Sequence, residues 1–548
     1  MDDDIDNFEN KDLENLVIQD KAYKRKKLKK RILIFLGILI GLGIIVTIII
    51  AILIAILSRS HGSITCFYIT KYDKENITLI NYEKDLKFSL IIDGKSFDQE
   101  YSHIFEDSGI HKVIFSFKKI NSLADLFKNN GALINADLSL FSIEDITSLN
   151  NLFFNCIKLE NVTFNFSSKN SIESMNNLFD HCSKLKFVSF NFSAEKLKDM
   201  TGAFQFCYAL KNFKLDIFNT KNLKYMDEVF SECDYIEYID LSNLNFGNLI
   251  SMNKTFNECK KLKEIKFPKT YTNELVYMHK IFYKCSEIEK IDLNYFKTEK
   301  VRNMENLFGY CRRLKDIDLS HFRTEHLNYI ESMFSYCSSL ASIDLSNFNF
   351  GKITSIDSLF LECYNLKVIN LSLANTPLLD KMSNAFKYCI KLQNIILPKN
   401  LENVINVEGI FNFCENLIDI DLSPFNGTSL KVADYMFQGC YSLRKVVFPI
   451  INADSLSSTL YMFSHCDNLN KIDMSNFYTS QKLNNLQSMF YGCESLTSLD
   501  ISHLTINNTS NLKGMFDNVH SNISIIVNKN IAPALKDVIS KFNITYID

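Results

Sequence analysis

Residues 304–322 read Met304-Glu305-Asn306-Leu307-Phe308-Gly309-Tyr310-Cys311-Arg312-Arg313-Leu314-Lys315-Asp316-Ile317-Asp318-Leu319-Ser320-His321-Phe322. The same skeleton returns one period later as Ile330, Met333, Phe334, Cys337, Leu340, Ile343, Asp344, Leu345 and Phe348. Outward from this pair, Cys156, Cys182, Cys207, Cys233, Cys259, Cys285, Cys311, Cys337, Cys363, Cys389, Cys414, Cys440, Cys466 and Cys493 recur every 25 to 27 residues. A fixed period of this length marks a repeat array, in which each unit is too small to bury its own apolar face and must stack on its neighbours. Asn130 upstream and Val519 downstream replace the cysteine but keep the preceding pairs Leu126-Phe127 and Met515-Phe516, so sixteen units run over residues 121–527.

Inside a unit the apolar spacing changes. Intervals of 3, 1 and 3 through Met304, Leu307, Phe308 and Cys311 put one stripe on a short helix. After Leu314 the step falls to 2, with Ile317 and Leu319 flanking Asp318, the inward, outward, inward pattern of a short strand. The expected fold class is an α/β repeat solenoid, leucine-rich-repeat-like, with one short strand and one short helix per unit. Sixteen parallel strands at ~4.8 Å would extend about 75 Å.

A second feature precedes the array. Residues 32–57 carry no charge, a run long enough to read as a single transmembrane helix. Lys24, Arg25, Lys26, Lys27, Lys29, Lys30 and Arg31 crowd its N-terminal flank, which by the positive-inside rule keeps that end cytoplasmic. The expected organisation is a cytoplasmic tail (1–31), the transmembrane helix (32–57), a β-rich N-terminal cap (58–120), the solenoid (121–527) and a C-terminal cap (528–548). That is a type II plasma-membrane protein with an extracellular solenoid. Gly37 and Gly41 form a G-x-x-x-G spacing, a candidate membrane-helix dimer face.

Composition narrows the function. The chain of 548 residues has 60 Lys+Arg against 63 Asp+Glu, no basic field for phosphate backbones, so nucleic acid is not an expected partner. Only 6 Pro and 16 Gly exclude collagen-like and linker designs. The histidines fall in no H-E-x-x-H pattern, no C-x-x-C pair suggests zinc and no phosphate-binding glycine loop follows a strand. No catalytic residue, metal or cofactor is expected.

The repeated columns have bland readings. Stacked cysteines point the same way, whereas a disulfide needs two Cβ vectors turned toward each other, so a ladder of buried thiols is expected, with Cys66 set apart as a candidate reactive thiol. Asp240, Asp292, Asp318, Asp344, Asp421, Asp473 and Asp500 form a column interrupted by Lys214, Lys266, Asn370, Ile396 and Val447; turn hydrogen bonding explains it better than cation binding. Phe308, Phe334 and Phe360 share the cysteine's register and belong to the core. Candidate N-glycosylation sites head N-x-S/T triplets at Asn76, Asn161, Asn165, Asn191, Asn253, Asn426, Asn507, Asn508, Asn522 and Asn543.

The recurring M-x-x-L-F-x-x-C-x-x-L-x-x-I-D-L-S resembles the BspA-like leucine-rich-repeat surface proteins of bacteria and protists. The resemblance covers some 400 residues and extends to the lead-in from Ile92-Asp93-Gly94-Lys95 to Lys112-Val113. It implies adhesion or macromolecular recognition at a cell surface and names no ligand. The expected function is therefore a non-enzymatic, single-pass surface protein whose partners are the membrane and an extracellular macromolecule, a protein or glycan-bearing protein, with homodimerisation through the membrane helix in view. The alternatives are a signalling receptor dimerising through that helix, or an intracellular membrane-tethered scaffold if the topology is reversed.

Overall fold

The computed structural model describes residues 62–547, apart from 82–85, 121, 144–145, 165–170, 191, 216, 426–428, 449–450, 475–476, 481, 507–509 and 531. It opens with seven strands: β1 (Gly62–Thr70), β2 (Glu75–Thr78), β3 (Lys87–Ile92), β4 (Lys95–Phe97), β5 (Ser102–Phe105), β6 (Gly109–Lys119) and β7 (Leu133–Phe141). β1 alternates strictly, with Ile64, Cys66, Tyr68 and Thr70 facing inward. It runs antiparallel to β6, pairing Cys66 with Val113, and antiparallel to β7, pairing Cys66 with Ala136. β7 is then parallel to β8 (Asn161–Thr163), and β8 to β9 (Phe187–Ser189), so an antiparallel sheet passes into a parallel solenoid sheet at one strand.

From β7 onward three-residue strands stack in register. Phe213, Ile239 and Ile265 lie side by side, as do Ile420 and Val446, each turned into the core between two outward residues. Among the described residues no strand is formed between Lys266 and Val368; there Ile291, Ile317 and Ile343 keep their register but are only partly buried.

The expected α/β fold class is corrected by the other half of each unit. Where a helix was expected, the chain is a staircase of turns, and the molecule is a β-solenoid. The hydrogen bonds show why. Met304, Asn306, Phe308 and Tyr310 donate their N–H groups to Tyr329, Glu331, Met333 and Ser335 of the next coil at 2.9, 3.0, 2.9 and 2.7 Å. The intervening donors Leu307, Gly309 and Cys311 bond back three residues, to Met304, Asn306 and Phe308, at 3.0 to 3.1 Å. Every second donor thus leaves the coil, which an α-helix, with all its bonds internal, does not permit.

Sending alternate donors outward requires residues in the left-handed region, as at the third position of a type II turn. Asn306 and Tyr310 have φ of 53° and 63°, and the equivalent pair is left-handed in every coil, from Asp125 and Asn129 to Gly514 and Asn518. Each non-glycine residue there costs about 1–2 kcal/mol. One fully buried phenylalanine per coil, about 1.5–3 kcal/mol, and four inter-coil hydrogen bonds at about 0.5–1.5 kcal/mol each outweigh that. Glycine enters the second column where room is short: a Cβ on Gly439 would meet the Phe413 ring at 2.6 Å.

Two ladders fill the core. Phenylalanine rings from Phe127 to Phe516 stack coil on coil with centroids 5.3 to 5.9 Å apart. Beside them each thiol from Cys156 to Cys493 donates to the phenylalanine carbonyl one coil earlier, at 3.0 to 3.3 Å. All are free and buried. Cys66 is buried too, and burial pushes its thiol far above the ordinary range, so its expected reactivity is corrected.

The ends differ. At the first coil, the Asn81 N–H donates to Leu126 O (2.9 Å) and its side-chain amide to Lys128 O (3.1 Å), closing carbonyls that elsewhere receive a preceding coil. At the last, strand Ser524–Asn528 pairs in parallel with Asn543–Ile547 after the helix α1 (Ala532–Ile539). With eight residues, α1 is the one α-helix among the described residues, and none of their helices is long and apolar enough to cross a membrane. The type II plasma-membrane localisation is corrected accordingly; residues 32–57, with Gly37 and Gly41, lie outside the described residues.

Candidate recognition surface

Eight residues before the cysteine, most coils make a single parallel bridge to the same position of the next, linking Tyr225, Ser251, Tyr277, Asn303 and Tyr329 in one row. The residue after each is buried: Met226, Met252, Met278, Met304 and Ile330 have no exposure. In an extended chain, residues on either side of an inward one face out together. A second outward row, Asp227, Asn253, His279, Glu305, Glu331 and Asp357, therefore runs beside the first.

The second row has a structural duty. Its own N–H is not in the inter-coil ladder and is capped by a side chain. Asp227 Oδ1 accepts from Asn253 N–H (2.7 Å), Asn253 Oδ1 from His279 N–H (3.1 Å) and Asp357 Oδ1 from Ser383 N–H (2.6 Å). Elsewhere the cap comes from the first row of the same coil, as where Asn303 accepts from Glu305 N–H at 2.7 Å and Asn406 from Glu408 N–H at 2.9 Å. Short amides, carboxylates and hydroxyls suit this position. A tyrosine does not.

Yet Tyr225, Tyr277 and Tyr329 occupy the first row in alternate coils, exposed by 38, 47 and 50%. Among the described residues none of these rings packs on another ring. Between them Ser251 is buried and Asn303 half-buried, so the row alternates between an aromatic ridge and a small polar step. Lys224 and Arg302 are exposed on one flank. On the other, burial pushes the carboxyls of Asp227, Glu331 and Asp357 above the usual carboxylate range, and burial pulls His279 below the usual imidazole range.

Elsewhere many polar side chains pair across coils. Bases pair with acids one coil earlier: Lys186 with Glu160 (3.2 Å), Lys198 with Glu173 (2.6 Å), Lys263 with Glu237 (2.6 Å), Lys300 with Glu274 (2.6 Å) and Lys315 with Glu289 (2.7 Å). These solvent-exposed pairs neutralise one another more than they stabilise. Further along, half-buried rings cover each other: Tyr310 lies on Tyr336 at 4.0 Å and Tyr388 on Phe413 at 5.0 Å. The aspartate column closes turns, with Asp318, Asp344 and Asp421 accepting from Ser320, Ser346 and Ser423 N–H at 2.8 to 2.9 Å.

The candidate glycosylation sites scatter. Asn76, Asn522 and Asn543 are exposed. The Asn161 amide donates to Asn135 (2.8 Å) and that of Asn253 to Ser251 (3.2 Å). Asn165, Asn191, Asn426, Asn507 and Asn508 lie outside the described residues. The tyrosine row was missed by sequence reading, although aligning units on cysteine puts the three tyrosines in one column.

The family model described as BspA type leucine rich repeat region (6 copies) matches residues 344–460, 381–521 and 431–548. That described as Mycoplasma protein of unknown function, DUF285, matches 96–214, 173–282 and 251–373. Among solved structures, a leucine-rich-repeat protein from Eubacterium ventriosum is 13% identical over 68% of this chain and 81% of its own, with a TM-score of 0.29. A leucine-rich-repeat protein from Leptospira interrogans is 11% identical over 73% and 90%, TM-score 0.21. The functional domain of InlJ from Listeria monocytogenes, which includes a cysteine ladder, is 11% identical over 73% and 75%, TM-score 0.18. No curated protein matches the chain.

Proposed function

For a chain that belongs to the BspA-type leucine-rich-repeat proteins, and to the family described as Mycoplasma protein of unknown function, we propose protein recognition through the outward tyrosine row, with adhesion as the finer form of that reading. The observation that carries it is the exposure of Tyr225, Tyr277 and Tyr329 in a row where Asn303 and Asn406 place short capping side chains. Tyrosine presents large, rigid, amphipathic area at low entropic cost and is enriched at binding hot spots. A solenoid suits this use, because its surface repeats while its core does not change. The reading is non-enzymatic.

Site-specific photo-crosslinkers placed at Tyr277 and, as a comparison, at Lys263 on the ion-paired surface test it in the protein's own cellular setting. Protein adducts should form preferentially from position 277. Equal yields from both positions, or adducts with glycan alone, would sink protein recognition by this row.

A further inference from the structure

We propose that the tyrosine row binds an extended, proline-rich peptide carrying a basic side chain, laid along the solenoid axis in the polyproline II conformation. The inference rests on the protein-recognition reading and names its partner.

Spacing carries the first step. The bridges from Tyr225 through Ser251 to Tyr277, and on through Asn303 to Tyr329, set successive tyrosines two coils apart. Two strand spacings are about 9.6 Å. A polyproline II helix has three residues per turn and advances about 3.1 Å per residue, so every third side chain recurs at about 9.3 Å. Residues i and i+3 of such a ligand fall into the two steps floored by Ser251 and Asn303. An extended β-strand, at about 3.4 Å per residue and with faces alternating every second residue, presents same-face side chains at about 6.8 Å and misses this register. Aromatic-walled grooves are the usual receptors for preformed proline-rich helices, because the ligand has little entropy left to lose.

Charge carries the second. The acidic row lies on one flank, and a defined bond orients each carboxylate. Asp227 accepts from Asn253 N–H (2.7 Å), Glu305 from the Asn306 amide (3.1 Å), Glu331 from Ile330 N–H (3.0 Å) and Asp357 from Ser383 N–H (2.6 Å). Each is held through one oxygen, leaving the second to meet a lysine or arginine. Lys224 and Arg302 on the opposite flank repel that base, so the asymmetry also sets which way round the ligand lies.

The test is a fluorescence-anisotropy titration of the full chain with a labelled twelve-residue peptide having proline at every third position and one lysine. A peptide of the same length and composition, its prolines moved out of the three-residue spacing, serves as the register control. Tyr277→Ser removes the ridge shared by both steps and places in the row a residue that Ser251 and Ser355 already show the fold accepts. It should weaken binding at least tenfold, whereas Tyr235→Ser, which removes an exposed tyrosine outside the row, should leave it unchanged. Glu331→Gln should weaken the lysine peptide and not its lysine-to-alanine analogue. Equal binding of the two proline registers, or binding indifferent to Tyr277→Ser, overturns the proposal. If the peptide fails while position 277 still crosslinks protein, the peptide ligand is wrong and protein recognition stands; if a β-linked oligosaccharide binds in its place, both are wrong.

Discussion

The thiol of Cys311 donates at 3.1 Å to the main-chain carbonyl of Phe282, which also accepts the N–H of Cys285 in its own coil at 3.0 Å. One carbonyl thereby ties two coils together, and the cysteine serves as a small buried donor. Burial pushes Cys156 and Cys493, at the two ends of the ladder, up to about 12, and raises those between them as well. Maleimide or disulfide-exchange reagents should therefore label the ladder only after unfolding, at a rate that follows unfolding and not the thiolate fraction between pH 7 and 9. Complete labelling of the native chain within seconds would show that the ladder is open.

Phe308 has no exposure and stacks between Phe282 and Phe334 at 5.6 and 5.5 Å. Phe308→Ala should cost about 3–5 kcal/mol. Because each coil touches only its neighbours, hydrogen exchange should accelerate most in the coils of Phe282, Phe308 and Phe334. A uniform acceleration from β1 to α1 would contradict a nearest-neighbour solenoid.

Ser332 has a φ of 55° and gives its N–H to Asp357 O in the next coil at 3.0 Å. Replacement by glycine should hold or raise stability by up to about 1 kcal/mol, reversing the sign that glycine shows in an ordinary helix. Ser332→Val should destabilise, since a β-branched residue is an outlier at positive φ. Urea midpoints at constant slope measure both. A stabilising valine would mean that the turns are not left-handed there.

Asp357 is raised by burial, and its pH dependence has a definite sign. A carboxyl that holds its proton more tightly folded than unfolded penalises the fold above its folded pKa, and the penalty fades as pH falls below the ordinary value of about 3.9. Asp357→Asn keeps the acceptor for Ser383 N–H, as Asn150 does for Asn176 N–H (2.8 Å). The variant should be more stable than the parent at pH 7 and lose that advantage by pH 3. Thermal unfolding at both values checks it, and a variant less stable at pH 7 would refute the account.

Much of this was legible in residue columns. Cysteine and phenylalanine at a constant offset reveal stacking, and Ile317 and Leu319 around Asp318 reveal an extended segment whose middle faces out. The helix was misread because a 3, 1, 3 stripe places side chains on one side of either an α-helix or a run of turns. What separates the two is backbone handedness, and its trace was in the sequence. Asn151, Asn177, Asn306 and Asn384, with Gly202, Gly409 and Gly514, share one offset from the cysteine, and asparagine and glycine are the residues that tolerate positive φ. Lysine, glutamate and tyrosine in the same columns diluted that trace. The recognition row was hidden for another reason: its function lies in the departures from the column, Tyr225, Tyr277 and Tyr329, and a consensus averages departures away.

Within the staircase of turns the main-chain bonds between coils run one way, each coil donating to the one that follows, while Asn81 closes the accepting end. The stack is thus a vector with non-interchangeable ends but interchangeable middles. Duplicating one whole coil inside it changes no terminal contact and leaves every donor facing an acceptor, whereas half a coil would set outward residues over core columns and break the register. Reach is therefore the property of this molecule most open to revision by recombination, with the fold indifferent to the outcome.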